Sequence, residues 1–176
     1  MAALVYTYCP RCATALEARM MSDRVRPICP ACGFIQFHDP KVAVIGLVTC
    51  GEHVLLTQRA VNPEMGKWTL PGGFMDAGEM PMDALQRELM EEIALPVVVN
   101  ELIEILPMLV DDADAPGGQA NRGIVLAFGA HPRSGQPEPL QAHDDVQDAR
   151  WFTRGNTPAN LAFESTHKLI ARWCDR

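Results

Sequence analysis

The sequence predicts an α+β domain with a mixed sheet, preceded by a small cysteine-bearing ribbon. Three observations predict it. Two Cys-x-x-Cys pairs, Cys9–Cys12 and Cys29–Cys32, head the chain with sixteen residues between them, which is the spacing of a four-cysteine zinc site. β-branched runs such as KVAVIGLVTC at 41–50 are bounded by turn-forming residues, as strands are. Two segments, around residues 80–93 and at the end, carry helical periodicity. Strands, a helix, more strands and a last helix describe two or three packed layers around one core.

The ribbon occupies residues 1–37 and the main domain residues 38–176. The segment between the cysteine pairs, ATALEARMMSDRVRPI, is too short and polar for its own core, so Zn²⁺ would supply the folding energy. Gly33 frees the backbone just past the second pair. With all four ligands from protein, such a zinc has no open position and is structural. A redox dithiol, disulfides or another thiophilic metal are the alternatives for these thiols.

Composition bounds the rest. At 176 residues and 48% apolar content, the chain fits one ordinary domain with a small appendage. The formal charge of −7 argues against a general nucleic-acid or anionic-membrane partner. No apolar run approaches the ~20 residues of a membrane span, and MAALVYTYCP lacks the pattern of a signal peptide. Cysteines in metal spacing fit reduced thiols, and so a cytoplasmic chain.

After FIQFHDP, KVAVIGLVTC reads as a buried strand, GEH as a turn and VLLTQR as the antiparallel partner. Cys50 at the strand end reads as a small buried apolar residue. Arg59 ends the second strand, where it meets either a phosphate or a surface acid. AVNPEMGKW is a loop, and TLPGGF a short strand running into Gly72 and Gly73, where the backbone can approach a ligand closely. Trp68 is placed either at a pocket mouth or in the core.

The stretch from Gly73 to Leu95, GFMDAGEMPMDALQRELMEEIAL, organises the chain. Its helix begins near Met80, with Pro81 in the first turn, where the missing N–H costs nothing. Asp83 complements the helix dipole there. Met82, Leu85, Leu89 and Ile93 form one apolar stripe. Glu88, Glu91 and Glu92 share an adjacent arc. Three carboxylates so close repel one another and call for a cation. Oxygen ligands select a hard one, Mg²⁺ or Mn²⁺. Arg87 lies one turn before Glu91 and can brace it. The alternative is a solvated acidic helix face.

This stretch resembles the signature of the Nudix hydrolases: Gly, five residues, Glu, seven residues, Arg-Glu, an aliphatic residue, any residue, Glu-Glu, any residue, Gly, an aliphatic residue. Gly73, Glu79, Arg87, Glu88, Leu89, Glu91, Glu92 and Leu95 fall in register. The late glycine is Ala94, which implies a helix end that needs no positive φ. The resemblance implies an α/β/α sandwich and hydrolysis of a nucleoside diphosphate linked to another moiety X. It implies catalytic roles for Glu79, Arg87, Glu88, Glu91 and Glu92, and Mg²⁺ or Mn²⁺ held by the Gly73 carbonyl, Glu88, Glu91 and Glu92. Substrate contacts would come from Arg59, Trp68 and Gly72. In many similar proteins a loop acid before a late strand serves as a further ligand or base. Glu138, Asp144 and Asp145 are candidates, with Asp145 best placed. Similar proteins are commonly homodimers.

Beyond Pro96, VVVNELIEILPMLV reads as one or two strands, DDADAPGGQAN as a loop, RGIVLAFGAH and DARWFT as strands, and NLAFESTHKLIARWC as a closing helix begun by Asn160 or the prolyl turn before it. His167 falls on that helix's polar side. Three functions compete: a Nudix pyrophosphatase, a catalytically silent nucleotide-sensing Nudix domain, and a zinc-ribbon nucleic-acid module. The intact carboxylates favour the first. The ribbon's four arginines, Arg11, Arg19, Arg24 and Arg26, with Phe34 and Phe37 as the evident stacking platforms, weigh against the third.

A zinc ribbon before such a domain is similar to two groups. NADH pyrophosphatases carry a further SQPWPFPxS tract, and nothing like it follows Leu95 here. The FAD and ADP-ribose pyrophosphatase type is matched in overall length, ribbon placement, WTLPGGFMDAGE and LAFEST. A small-molecule nucleotide, FAD or ADP-ribose, cleaved to AMP and a phosphorylated partner, is therefore the favoured expectation. An NADH pyrophosphatase-like activity is the alternative.

Overall fold

A computed structural model describes residues 6–37, 39–111 and 119–175, the side chains of 110, 111 and 119–121 excepted. The chain divides into two compact units. One comprises Met1–Pro40 with Val110–Arg122, the other Lys41–Leu109 with Gly123–Arg176.

In the first unit, β1 (Glu17–Met21) and β2 (Arg24–Ile28) form an antiparallel hairpin between the two cysteine pairs. Each pair sits in the same kind of turn. Cys9 N–H bonds to Thr14 O and Ala13 N–H to Cys9 O, both at 2.8 Å, while Cys29 N–H bonds to Phe34 O at 2.8 Å and Gly33 N–H to Cys29 O at 3.0 Å. The residue after each pair is left-handed, Ala13 at φ 58° and Gly33 at φ 72°. Only the glycine announces that turn in the sequence.

The second unit holds a mixed sheet in the order β5-β4-β3-β7-β6, with β8 pairing on β4. Its strands are β3 (Lys41–Cys50), β4 (His53–Arg59), β5 (Trp68–Thr69), β8 (Val146–Thr153) and the parts of β6 (Val97–Asp111) and β7 (Gln119–Pro132) up to Leu109 and from Gly123. β3 runs parallel to β7 from Lys41↔Gly123 to Val48↔Ala130, and β4 is antiparallel to β3, β5 and β8. Two helices complete the unit, α1 (Pro81–Ile93) and α2 (Glu164–Cys174). Alternation along the strands feeds two cores. Val44, Val48 and Leu55 pack with Leu85, Leu89 and Ile93 of α1, while Val54 and Leu56 pack with Leu169, Ile170 and Trp173 of α2. The sheet is thus sandwiched between the two helices, as the α/β/α expectation requires. Among the described residues, no helix is long and apolar enough to cross a membrane.

Several expectations need correction. Met82 is 40% exposed and Ala84 takes its place on the buried stripe, because the stripe faces β3 about 50° away from where four apolar letters centre it. Cys50 is partly exposed rather than buried, its Sγ 3.4 Å from Gly135 O. The closing helix begins at Glu164, not near Asn160. Residues 160–162 instead pair with Trp68, through Trp68 N–H to Asn160 O at 3.0 Å and Ala162 N–H to Trp68 O at 2.7 Å, and Phe163 breaks the run at φ 54°. Residues 112–118 of the acidic, glycine-rich loop lie outside the described residues.

The departure at Ala94 also reads differently in three dimensions. Ala94 closes α1 at φ 54°, ψ 32°, in the left-handed region. Its N–H reaches Met90 O at 3.1 Å, and Leu95 N–H reaches Leu89 O at 3.2 Å. The helix end does need a positive φ, so the alanine is held there at a cost of about 1 kcal/mol. Leu95, 1% exposed, anchors the turn from the other side.

Candidate functional site

The glycines come first, because they let the rest approach. Residues 71–75 run beside β3, through Gly46 N–H to Pro71 O at 2.9 Å, Val44 N–H to Gly73 O at 2.9 Å and Met75 N–H to Val42 O at 3.0 Å. Gly72 stands at φ +137°, and a Cβ there would meet Val44 O at 2.1 Å. A Cβ on Gly73 would meet the Glu88 carboxyl at 2.6 Å. Gly72 admits no side chain, since backbone blocks it, whereas a Cβ at Gly73 would push the Glu88 carboxyl out of its place. The missing Cβ of Gly73 is the space in which Glu88 lies.

Arg87 organises the acids of α1. Its Nε and Nη2 form a fork on Glu79 at 2.8 and 3.0 Å, its Nη1 donates to Glu88 and Glu91 at 2.9 Å each, and Nη2 also donates to Phe74 O at 3.1 Å. The guanidinium fork is engaged on every side. Hydrogen bonding to Arg87 holds Glu79 below the usual carboxylate range, and Glu79 first of all raises Arg87 further still. Glu79 also accepts Asp76 N–H at 3.1 Å, so it ties loop to helix. Burial raises Glu88, against the pull of Arg87.

Glu92 is different. It is 6% exposed, and Gly72 N–H donates to its Oε2 at 3.2 Å. Burial, then the nearby Asp145 charge, push its carboxyl up to about 8, against the Gly72 hydrogen bond. Asp145 reaches it from a loop pinned at both ends. His143 N–H bonds to Glu92 O at 2.8 Å, and Ala60 N–H bonds to Asp145 O at 2.7 Å. A register shift at Gln58/Arg59, opposite β8, accompanies that turn.

These groups surround one cleft of about 330 Å³, lined by Gly72, Gly73, Phe74, Asp76, Arg87, Glu88, Glu91, Glu92, Asp144 and Asp145. Of the residues the sequence singles out, the structure therefore brings together Gly72, Gly73, Arg87, Glu88, Glu91, Glu92, Asp144 and Asp145. Glu79 stands behind them on Arg87. Three others do not line the cleft. Trp68 is 7% exposed and packs edge-on against Phe152, at 4.9 Å and 81°. It belongs to the α2 core rather than a pocket mouth, because its strand is covered by residues 160–162. Arg59 donates to Pro63 O at 2.7 Å and lies 5.0 Å over the Phe163 ring. Glu138 meets Trp151 Nε1 through its carbonyl, at 3.1 Å. Phe74 and Asp76 are cleft residues that sequence reasoning passed over, although they flank the signature glycine.

The donor sets can be tested against metals. Carboxylates and backbone carbonyls suit Mg²⁺ or Mn²⁺, and the raised proton affinities of Glu88 and Glu92 are what crowded, buried acids show before a cation neutralises them. In the ribbon, the four sulfurs of Cys9, Cys12, Cys29 and Cys32 lie within 4.8 Å of one another. Cys9–Cys32, Cys12–Cys29 and Cys12–Cys32 are 3.5, 3.4 and 3.6 Å apart. Tetrahedral zinc with bonds of about 2.3 Å has sulfur–sulfur edges of about 3.8 Å, so the cluster fits the ion with small expansion. Hydrogen bonding to Thr14 lowers the Cys12 thiol to about 6. Against the Phe34 backbone hydrogen bond, burial and hydrogen bonds to the other three sulfurs push Cys32 up to about 12, so the metal-free cluster holds its protons unequally. Among the described residues this is the one set of three or more ligating side chains already converged. The acids of the cleft are instead spread over Arg87 and Gly72 N–H.

A cleft of paired glycines and carboxylates on one helix is a setting suited to metal-assisted hydrolysis of a phosphate ester or anhydride. The family model for the NUDIX domain matches residues 38–174, and the chain belongs to the Nudix family of hydrolases. It is 35% identical over 136 residues to an ADP-ribose pyrophosphatase of Methanocaldococcus jannaschii, covering 76% of this chain and 75% of that protein. It is 30% identical over 156 residues to the NAD-capped RNA hydrolase NudC of Pseudomonas aeruginosa, covering 86% of this chain and 49% of that one. The chain thus spans about half the length of that relative. A crystal structure of a NUDIX hydrolase from Nitrosomonas europaea superposes with a TM-score of 0.82 at 27% identity, covering 97% of this chain and 91% of that one.

Proposed function

We propose that this Nudix hydrolase cleaves the pyrophosphate bond of a nucleoside diphosphate linked to X, with ADP-ribose or FAD preferred, to give AMP and a phosphorylated product. The observation that carries the reading is the cleft itself: Glu88 against Gly73 and buried Glu92 on Gly72 N–H, with Asp145 opposite. Glu88, Glu91 and Glu92, with the Gly73 carbonyl and Asp145, would hold Mg²⁺ or Mn²⁺. The ion would supply charge neutralisation and Lewis acidity to the diphosphate. The chain's own residues do the rest. Arg87 fixes Glu88 and Glu91 in place, and Gly72 N–H orients Glu92. A carboxylate among these accepts a proton from the attacking water. Structural Zn²⁺ on Cys9, Cys12, Cys29 and Cys32 would hold the ribbon.

The substrate preference is supported by the ADP-ribose pyrophosphatase relative, most of whose length is matched. The NudC match spans half of that protein and keeps NADH as the comparison substrate. An assay with Mg²⁺ or Mn²⁺ against ADP-ribose, FAD, NADH, dinucleoside polyphosphates and nucleoside triphosphates decides. ADP-ribose or FAD should lead in kcat/KM. A tenfold lead for NADH or a triphosphate, about 1.4 kcal/mol of transition-state preference, would reverse the substrate assignment.

A further inference from the structure

Behind the cleft lies a buried hydroxyl pair that the chemistry above does not use. Thr166, in the first turn of α2, is 1% exposed, and Thr69, in β5, is 9% exposed. Their Oγ1 atoms are 3.0 Å apart, and Thr166 Oγ1 also accepts Leu70 N–H at 3.4 Å. Two residues further on, Gly72 N–H meets Glu92. The bonds of residues 160–162 to Trp68 run into this contact, so the segment 160–166 lines the back of 68–70. β3 holds 71–75 from the other side.

We propose that Thr166 is a positioning residue. Its hydroxyl fixes the backbone at Thr69–Leu70, which sets where the Gly72 N–H and the Gly73 carbonyl stand relative to Glu92 and Glu88. The placement explains why a threonine is buried here at all. A valine would fill the same volume without a hydroxyl to satisfy. Thr166 touches no cleft group itself and acts through a short rigid stretch of backbone. The inference rests on the cleft being the metal and diphosphate site.

The test compares Thr166→Val with Thr166→Ser in the zinc-loaded full chain. Binding of Mn²⁺ is followed by the electron paramagnetic resonance signal of the free ion, alongside steady-state turnover. Thr166→Val should weaken Mn²⁺ binding and lower kcat by about five- to tenfold, the weight of one buried hydrogen bond, with substrate KM unchanged. Thr166→Ser should restore both. Unchanged Mn²⁺ affinity in Thr166→Val, whatever its melting temperature, overturns the proposal. So does a serine variant as impaired as the valine one, which would assign the effect to packing. If Thr166→Val does not fold, Thr69→Val removes only the hydroxyl partner. It should weaken Mn²⁺ binding about two- to threefold, and unchanged affinity there overturns the proposal equally. Absence of diphosphate turnover in the wild type would refute the hydrolase reading, while the Mn²⁺ comparison would still decide the role of Thr166.

Discussion

Replacing Glu92 by glutamine should make the protein more stable while disabling it. Glu92 is 6% exposed, and burial with Asp145 nearby pushes its carboxyl from 4.5 to about 8. Its folded-state affinity for a proton exceeds the unfolded one. Its contribution to stability is therefore fully present below about 4.5 and is lost as pH rises through about 8. At roughly 1.36 kcal/mol per pKa unit, the cost at pH 8 has an upper limit of roughly 4 kcal/mol, against less than about 1 at pH 5. Relaxation toward solvent lowers the pH 8 figure to about 2 kcal/mol. Glutamine keeps the shape, still accepts Gly72 N–H and carries no charge. Without added divalent cation, Glu92→Gln should melt about 4–8 °C above wild type at pH 8, and within about 3 °C of it at pH 5. Thermal unfolding in cation-free buffer, with no chelator so that the cysteine cluster is untouched, measures this. Mg²⁺ at a hundred times its wild-type Kd should then raise the wild type by about 2.7 kcal/mol and the variant by less. A variant that melts below wild type at pH 8, or a difference independent of pH, would refute the reasoning.

Other outcomes follow from the same geometry. Ala94→Gly should stabilise by about 0.5–1 kcal/mol with turnover unchanged, because the left-handed helix end no longer opposes a Cβ; chemical denaturation checks it. Cys29→Ser should remove bound zinc, read by metal analysis of protein purified without added zinc, and lower stability more than it lowers the turnover of folded molecules. Arg87→Lys should cost about ten- to hundredfold in kcat, since a point charge cannot bond Glu79, Glu88, Glu91 and Phe74 O together; steady-state kinetics at saturating Mg²⁺ tests it.

The chemistry-bearing part of the chain was legible because the spacing that defines it is covalent. The two cysteine pairs, the glycine pair and the i, i+3, i+4 acids declare themselves in one dimension, and Asp145 is singled out by the resemblance, which puts an acid in the loop before β8. What was not legible depends on contacts distant in sequence. Periodicity orders residues around α1 but does not say which way the helix is rolled, so it puts Met82 inward and leaves Ala84 out, the reverse of what the packing shows. Only the glycine that the signature has at this position marks Ala94 as left-handed, because alanine itself prefers the opposite hand. Trp68 reads equally as rim or core until residues 160–162 are seen to cover it. The same pairing delays α2 to Glu164 and creates the Thr69–Thr166 contact. The unequal roles of the acids are also tertiary. Arg87 gathers Glu79, Glu88 and Glu91, while Glu92 turns toward Gly72 and Asp145.

Glu92, Glu88 and the glycine pair stand at the heart of the proposed hydrolytic centre. Its most direct test is turnover of ADP-ribose and FAD by wild type, Glu92→Gln and Glu88→Gln at saturating Mg²⁺. The wild type should release AMP in a Mg²⁺-dependent way, and kcat should fall by roughly 10²–10⁴-fold in each variant with the fold intact. Near-normal turnover by Glu92→Gln would contradict that assignment.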